Sequence, residues 1–288
     1  MLMPRVESDA DIEALHDMRV ELRRLRSALG ALEGHGPVED AAELVSECRW
    51  LAGHGSGLRD MDVLLERLPD YLGSQPDTAD PAIRLLMRDI ARLRNRERRA
   101  MLAAFRSHRG HRLIARLEAL AAVPLYQPEW PGRPVLAHAT RTTLRKLCRR
   151  GRALEPDSPV EDWHELRKRA KRSRYLLELY ATVDSAREPR DLIDRVRRLQ
   201  TALGDHQDFD THATVLEGLI GTPSCAADSR YAALLQRLVV TLRDRMPRAR
   251  ERAQHRLQAL LQSGARKRLV RRLAPERLSR TPAVGTGG

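Results

Sequence analysis

The 288-residue sequence predicts an all-α fold built by an internal duplication. Hydrophobic residues make up 42% of the chain but aromatic residues only 3%, so the core must consist of Leu, Ala, Val and Ile side chains. Apolar residues recur at intervals of three and four, which is the spacing of an amphipathic helix. A basic stretch also occurs twice, 148 residues apart, and this repeat predicts two related halves.

The repeated stretch is predicted to be an amphipathic helix headed by a histidine. Residues advance by about 100° along a helix, so a histidine and the cations three, seven and ten positions later share a sector of roughly 80°. That basic sector lies beside an apolar stripe. A charged helix face is usually only solvated surface, but two copies in one register favour a common binding role. The first copy contains His16, Arg19, Arg23, Arg24 and Arg26, and the second contains His164, Arg167, Lys168, Lys171, Arg172 and Arg174.

The first half is predicted to contain five helices separated by Gly- and Pro-rich breaks. The carboxylates of Asp60 and Asp62 stand where the third helix is predicted to begin, so capping of its positive end is their plainest role. The five helices are placed at about 9–33, between the breaks at 34–37 and 53–57, from about 60 onward, from 81 to about 107, and at 109–122.

A proline-rich segment without helical pattern divides the chain and is predicted to be a linker. The final segment is basic and then rich in Pro, Gly and Thr, which predicts disorder. The predicted divisions are a first half at 1–123, a linker at 124–134, a second half at 135–264 and a disordered tail at 265–288. The principal helices of the second half are placed at about 135–153, 160–183 and 226–264.

The 148-residue offset persists beyond the basic helices, over about 80 residues without an insertion, which indicates duplication of a whole helical bundle. The halves are not equivalent everywhere, because Arg59 of the first half corresponds to Gln207 of the second. The carboxylate pairs related by the offset are Asp60 and Asp62 in the first half and Asp208 and Asp210 in the second.

The formal net charge of +13 predicts an anionic partner, which could be nucleic acid, another polyphosphorylated molecule or an anionic surface. No apolar run approaches the roughly 20 residues that span a bilayer, and the N-terminus lacks a signal-peptide core, so we expect a cytoplasmic protein. Cys48, Cys148 and Cys225 are odd in number and widely spaced, which predicts reduced thiols in the core.

The repeats resemble the CHAD family, the conserved histidine α-helical domain, over roughly residues 8–264. The resemblance implies two antiparallel helical bundles related by a pseudo-two-fold axis, with a basic central cleft. Its carriers are His16-x-x-Arg19-x-x-x-Arg23-Arg24-x-Arg26, Trp50-Leu51 and Leu58-Arg59-Asp60-Met61-Asp62-Val63, then His164-x-x-Arg167-Lys168-x-x-Lys171-Arg172-x-Arg174-Tyr175, Leu203-Gly204 and Asp208-x-Asp210.

The resemblance also implies binding of inorganic polyphosphate. A helix that offers a cation at each turn can follow such a polyanion, and counterion release strengthens the complex. Many relatives carry a CYTH (triphosphate tunnel) domain, whose Glu-x-Glu-x-Lys signature is absent here. We therefore expect a stand-alone, non-catalytic module without a cofactor, able to associate with polyphosphate granules. The predicted ligands are His16, Arg19, Arg23, Arg24, Arg26, Arg145, Arg149, His164, Arg167, Lys168, Lys171, Arg172 and Arg174.

Four other functions stay open from the sequence. His206 and His212 with the nearby aspartates form a candidate metal cluster, although their spacing matches no known metal loop. The aspartate pairs allow a metal-dependent phosphohydrolase that acts on polyphosphate, but we favour a role in which they pair with the arginines of the repeated helices and hold them in place. Non-specific nucleic-acid binding through phosphates also fits the charge, whereas the scarcity of aromatic residues opposes single-strand recognition. A granule-coating scaffold is the remaining alternative.

Overall fold

The chain folds into helices throughout the described ranges of a computed structural model, which are 12–33, 40–73, 79–122, 132–184 and 186–273. These ranges contain no strand, so the predicted all-α class is confirmed. None of their helices is both long enough and apolar enough to cross a membrane. The helices are α1 (Ile12–Leu32), α2 (Ala41–His54), α3 (Ser56–Leu72), α4 (Pro81–Arg106), α5 (His108–Ala122), α6 (Gly132–Arg152), α7 (Val160–Val183), α8 (Arg187–Ile220), α9 (Pro223–Ala226), α10 (Ser229–Gln262) and α11 (Gly264–Arg272).

The third helix begins earlier than predicted. It starts at Ser56, directly after a one-residue turn at Gly55, so Asp60 lies inside the helix and the predicted capping role of Asp60 and Asp62 is wrong. A Cβ atom at position 55 would lie only 3.0 Å from the side chain of Leu15. Because Gly55 has no Cβ atom, the turn can pack closely against α1. The side chain of Asp80 does cap α4, since it accepts a hydrogen bond from the backbone N–H of Ala82, two residues along, at 2.8 Å.

The C-terminal region contains a helix where disorder was predicted. The Ser263 side chain caps α11, and Ala265, Leu269 and Leu273 bury their side chains in the core. The disorder prediction is therefore wrong for residues 265–273, and residues 274–288 lie outside the described ranges. At the predicted linker, α6 already includes 132–134, while the remaining linker residues are not among those described.

The buried side chains of the described residues form three hydrophobic clusters, and one of these is built from both predicted halves. One cluster of buried side chains joins α1, α2, the end of α4 and α5, and another joins α6, α7, α11 and parts of α8 and α10. A third cluster packs α3 and the start of α4 against the end of α8, α9 and the start of α10. The long helices α8 and α10, with 34 residues each, run through two clusters. Cys48, Cys148 and Cys225 are buried free thiols, as predicted.

Candidate functional site

The two repeated helices pack against each other. The Nε atom of Arg23 on α1 donates a hydrogen bond to the hydroxyl of Tyr175 on α7, at 3.2 Å. Further along the same contact, a guanidinium nitrogen of Arg172 lies 3.5 Å from the point where a Cβ of Gly30 would stand. The basic faces that the sequence placed 148 residues apart therefore meet within the fold.

Six charged residues from four helices form the centre of this contact, which we call the cation cluster. Their mutual influence on pKa shows that they share one electrostatic environment. Four cations against two carboxylates leave a formal excess of two positive charges. The cluster comprises Arg19 and Arg23 of α1, Asp60 of α3, Arg167 and Lys171 of α7, and Asp208 of α8.

Arg19 is fixed by the turn between α2 and α3. Its Nη1 atom donates hydrogen bonds to the carbonyl oxygen of Ala52, at 2.6 Å, and to the hydroxyl of Ser56, at 3.0 Å. Burial, reinforced by the positive charge of Arg23, lowers the pKa of Arg19 to about 10. The residue stays cationic at neutral pH and contributes a fixed positive charge to the cluster.

Lys171 of α7 has the largest pKa shift among the cluster residues. Burial lowers the pKa of Lys171 to about 6, and the neighbouring charges of Arg167, Arg23 and Arg19 act in the same direction. Burial also lowers the pKa of Arg167, whose Nε atom is buried without a hydrogen-bond partner among the described residues. A bound anion would satisfy such a donor and offset the repulsion between the cations.

The two carboxylates do not neutralise the cluster. Burial raises the pKa of both Asp60 and Asp208, although nearby arginines oppose that shift. Asp208 is shared with Arg67 of α3, which lies 3.4 Å from it and 3.2 Å from Asp205. Part of the negative charge of Asp208 is therefore directed toward a cation outside the cluster.

The two leading histidines stand beside corresponding positions of α3 and α8. Burial lowers the pKa of His16, and the next contribution in the same direction comes from Arg59. His164 instead makes a hydrogen bond through its Nδ1 atom to the side-chain oxygen of Gln207. Each histidine therefore faces the residue that precedes the cluster aspartate of its own half, and those two residues differ in charge.

The remaining predicted ligands are not members of the cation cluster. Burial lowers the pKa of Arg26, with smaller contributions from Arg49 and from other nearby charges. Arg174 packs over the ring of Tyr175, with its guanidinium carbon 4.8 Å from the ring centre. Arg24 pairs with Glu21 at 2.6 Å on the exposed side of α1. The other predicted ligands are exposed: Arg145, Arg149 and Lys168, together with Arg172 at the helix contact.

The candidate metal cluster of the sequence is not assembled. His206 accepts a hydrogen bond from Arg250 at 2.9 Å, whereas His212 bonds to the hydroxyl of Tyr71 at 3.0 Å. Burial lowers the pKa of each histidine to about 4, so both are neutral core residues at pH 7. In the part of the chain that the structure describes, no three His, Cys, Asp or Glu side chains are grouped to hold a metal ion.

Sequence reasoning missed one contributor to this site. Asp60 and Asp208 belong to the aspartate pairs that the sequence was expected to place beside the arginines of the repeated helices, and both lie within electrostatic reach of those arginines. Arg67 carried no signal, because the 148-residue offset relates it to Val215, which is uncharged.

This fold and this site define a class of basic, all-helical domains in which two histidine-headed helices pack against each other. The model of the CHAD domain matches residues 3–217, and the chain therefore belongs to the CHAD domain family. Two uncharacterized proteins of Mycobacterium tuberculosis are each 30% identical to it over 210 residues, which is 70% of this chain. The chain spans only 39% of the length of those relatives.

Solved structures share this fold. The crystal structure of the CHAD domain from the plant Ricinus communis aligns with a TM-score of 0.62 and 25% identity, over 88% of this chain and 86% of that one. PptA from Streptomyces chartreusis aligns with a TM-score of 0.67 and 22% identity, over 89% of this chain and 92% of its own. At that identity, the likeness to PptA concerns the fold alone.

Proposed function

We propose that this protein binds inorganic polyphosphate at the cation cluster. The observation that carries the proposal is the excess of buried positive charge where α1 and α7 meet. Burying like charges together costs free energy unless opposite charge accompanies them. Even with Lys171 largely deprotonated at neutral pH, three arginines face two aspartates in the cluster. A ligand with closely spaced negative charges would supply the rest.

The chemistry of the cations suits a phosphate chain. Arg23 and Arg167 each present a planar guanidinium that can hold two phosphate oxygens at once. A bound anion would also favour the protonated form of Lys171, which then adds a compact ammonium group. Because these groups come from two opposed helices, successive phosphates of one chain can be bound from both sides. The exposed cations Lys168 and Arg172 lie on the same helix and would extend the contact along a longer chain.

We further propose binding without turnover, with polyphosphate granules as one setting in which the protein operates. Asp60 and Asp208 each lie among cations, which favours a role in holding the arginines over a role as metal ligands or as acid–base groups. Membership of the CHAD domain family agrees with a polyphosphate-related role for such a module.

The test removes charge from the cluster while preserving volume. In the double variant Arg167→Met/Lys171→Met, long apolar side chains replace two buried cations, so we expect a folded protein whose affinity for long-chain polyphosphate falls at least about a hundredfold. Isothermal titration calorimetry provides the measurement. The matched control is Lys267→Met, which removes an exposed lysine of α11 and should leave the affinity nearly unchanged. Unchanged binding by the folded double variant would refute the proposal.

A further inference from the structure

The two ends of the cation cluster differ at one position. The α1/α3 end carries Arg59 beside His16, whereas the α7/α8 end carries the neutral Gln207 beside His164. The offset of 148 residues relates these two positions, and they directly precede Asp60 and Asp208. Corresponding positions at the two ends therefore carry a cation, Arg59, and an uncharged side chain, Gln207.

Arg59 is largely buried and weakly paired. Its side chain is only 17% exposed, and its Nη1 atom is buried with no hydrogen-bond partner in the part of the chain that the structure describes. Its ion pairs are long, at 3.5 Å to Glu13 and 4.0 Å to Glu66, and those carboxylates are 63% and 69% exposed. Ion pairs with such exposed partners contribute little, so Arg59 retains most of its capacity to bind an anion.

The positive charge of Arg59 adds to that of the cluster. It contributes to lowering the pKa of both His16 and Arg19, so it lies within electrostatic reach of the site's first-half end. The opposite end also has an additional arginine, Arg67, but that residue is held between Asp205 and Asp208 at 3.2 and 3.4 Å. The additional positive charge is therefore largely neutralised at the α7/α8 end and much less so at the α1/α3 end.

We infer that Arg59 is a further phosphate-binding residue and that the site is directional, with the α1/α3 end holding phosphate more tightly than the α7/α8 end. A polyphosphate chain would pass between α1 and α7 and place an additional phosphate against Arg59 and His16. This inference rests on the proposed function, since it concerns how the same site distributes its affinity along the ligand.

Reciprocal substitutions test the inference. Arg59→Gln gives the first half the residue that the second half already has, and Gln207→Arg introduces the cation at the other end. We expect Arg59→Gln to weaken binding of long-chain polyphosphate about tenfold and to reduce the slope of log affinity against log salt by about one. Gln207→Arg should strengthen binding by a similar factor. Arg187→Gln is the matched control, because it removes an arginine whose side chain is 89% exposed on α8.

The outcomes separate the inference from the proposed function. If the wild type binds polyphosphate and Arg59→Gln behaves like Arg187→Gln, the directional site is wrong while the proposed function stands. If the wild type does not bind polyphosphate at all, both are wrong. A loss in Arg59→Gln, a gain in Gln207→Arg and near wild-type affinity in the doubly exchanged protein would establish that the charge at these two positions sets the strength of each end.

Discussion

Lys171 occupies a position where its own charge is unfavourable. Its ammonium group is buried beside Arg167, Arg23 and Arg19, and these surroundings lower its pKa to about 6 from an ordinary value of 10.5. Between these pH values, the unfolded chain holds a proton on Lys171 that the folded protein has released. Folding is therefore penalised, and the penalty grows as the pH falls from 10.5 toward 6.

Replacing Lys171 with an apolar side chain of similar length should stabilise the free protein. We expect Lys171→Met to raise the free energy of unfolding by about 1–4 kcal/mol near neutral pH, the range found when buried charged groups are replaced by apolar ones. The gain should shrink as the pH rises toward 10.5, because the wild-type penalty disappears there. Urea denaturation at several pH values measures both effects.

Lys267→Met provides the comparison for this stability measurement, since Lys267 is exposed on α11. Two results would contradict a destabilising buried lysine at position 171. One is a wild type that is more stable than Lys171→Met, and the other is a difference in unfolding free energy that does not vary with pH.

Individual residues differed in how far the sequence could place them. The spacing from His16 and His164 identified the cations of both helices, because helical periodicity alone puts them on one face. Arg67 could not be predicted as a neighbour, since it reaches Asp208 only through the packing of α3 against α8. Asp60 was assigned to a cap because the exact start of a helix depends on the local turn, here the one at Gly55.

Among the helices, α11 shows how a short element can be hidden by its composition. Most of its residues are basic, which suggested a disordered tail, but Ala265, Leu269 and Leu273 recur every four residues. Leu269 and Leu273 join the hydrophobic cluster formed by α6, α7 and α8, and Ala265 is buried as well. The helix is therefore stabilised by tertiary packing, which composition alone does not reveal.

Truncation of one side chain tests whether α11 belongs to the core. Leu269 is fully buried, so Leu269→Ala should lower the free energy of unfolding by about 2–5 kcal/mol through lost burial and a residual cavity. Lys267→Ala, an exposed substitution on the same helix, should change it by less than about 0.5 kcal/mol. Thermal and urea denaturation give the comparison, and equal stabilities of the two variants would show that α11 is detached in solution.

The repeated helices α1 and α7 were predicted nearly to their ends, because strong periodicity and clear breaks coincide there. The family resemblance implied a basic central cleft but did not specify that α1 and α7 pack against each other. That packing and its contacts, such as the hydrogen bond between Arg23 and Tyr175, depend on the three-dimensional fold, which sequence spacing does not specify.

In the molecule as a whole, a hydrophobic cluster that both halves share explains why the cation cluster is held in place. Helices from both halves pack in one cluster of buried side chains, so α3 and α8 cannot shift independently without disturbing that cluster. Composition and the repeat predicted the all-α class and suggested a duplication. Composition and the repeat could not show that buried side chains of the two halves pack in one hydrophobic cluster. That packing depends on the course of the long helices α8 and α10, each of which contributes to two clusters.

The net charge of +13 would attract any polyanion weakly. A defined site is needed to discriminate between one polyanion and another. The proposed site would hold a flexible phosphate chain between α1 and α7, whereas duplex DNA is too wide and stiff to reach the buried cations there. Binding should therefore favour polyphosphate, and the preference should persist at salt concentrations that screen exposed charges.

The most direct measurement is competition between long-chain polyphosphate and duplex DNA, at matched phosphate concentration and several salt concentrations, for the wild type and Arg167→Met/Lys171→Met. We expect the wild type to prefer polyphosphate by at least about tenfold at physiological salt, equivalent to about 1.4 kcal/mol. The double variant should lose this preference while retaining its fold. Equal affinity for the two polyanions, unchanged in the double variant, would contradict a specific site and reduce the interaction to diffuse electrostatic attraction.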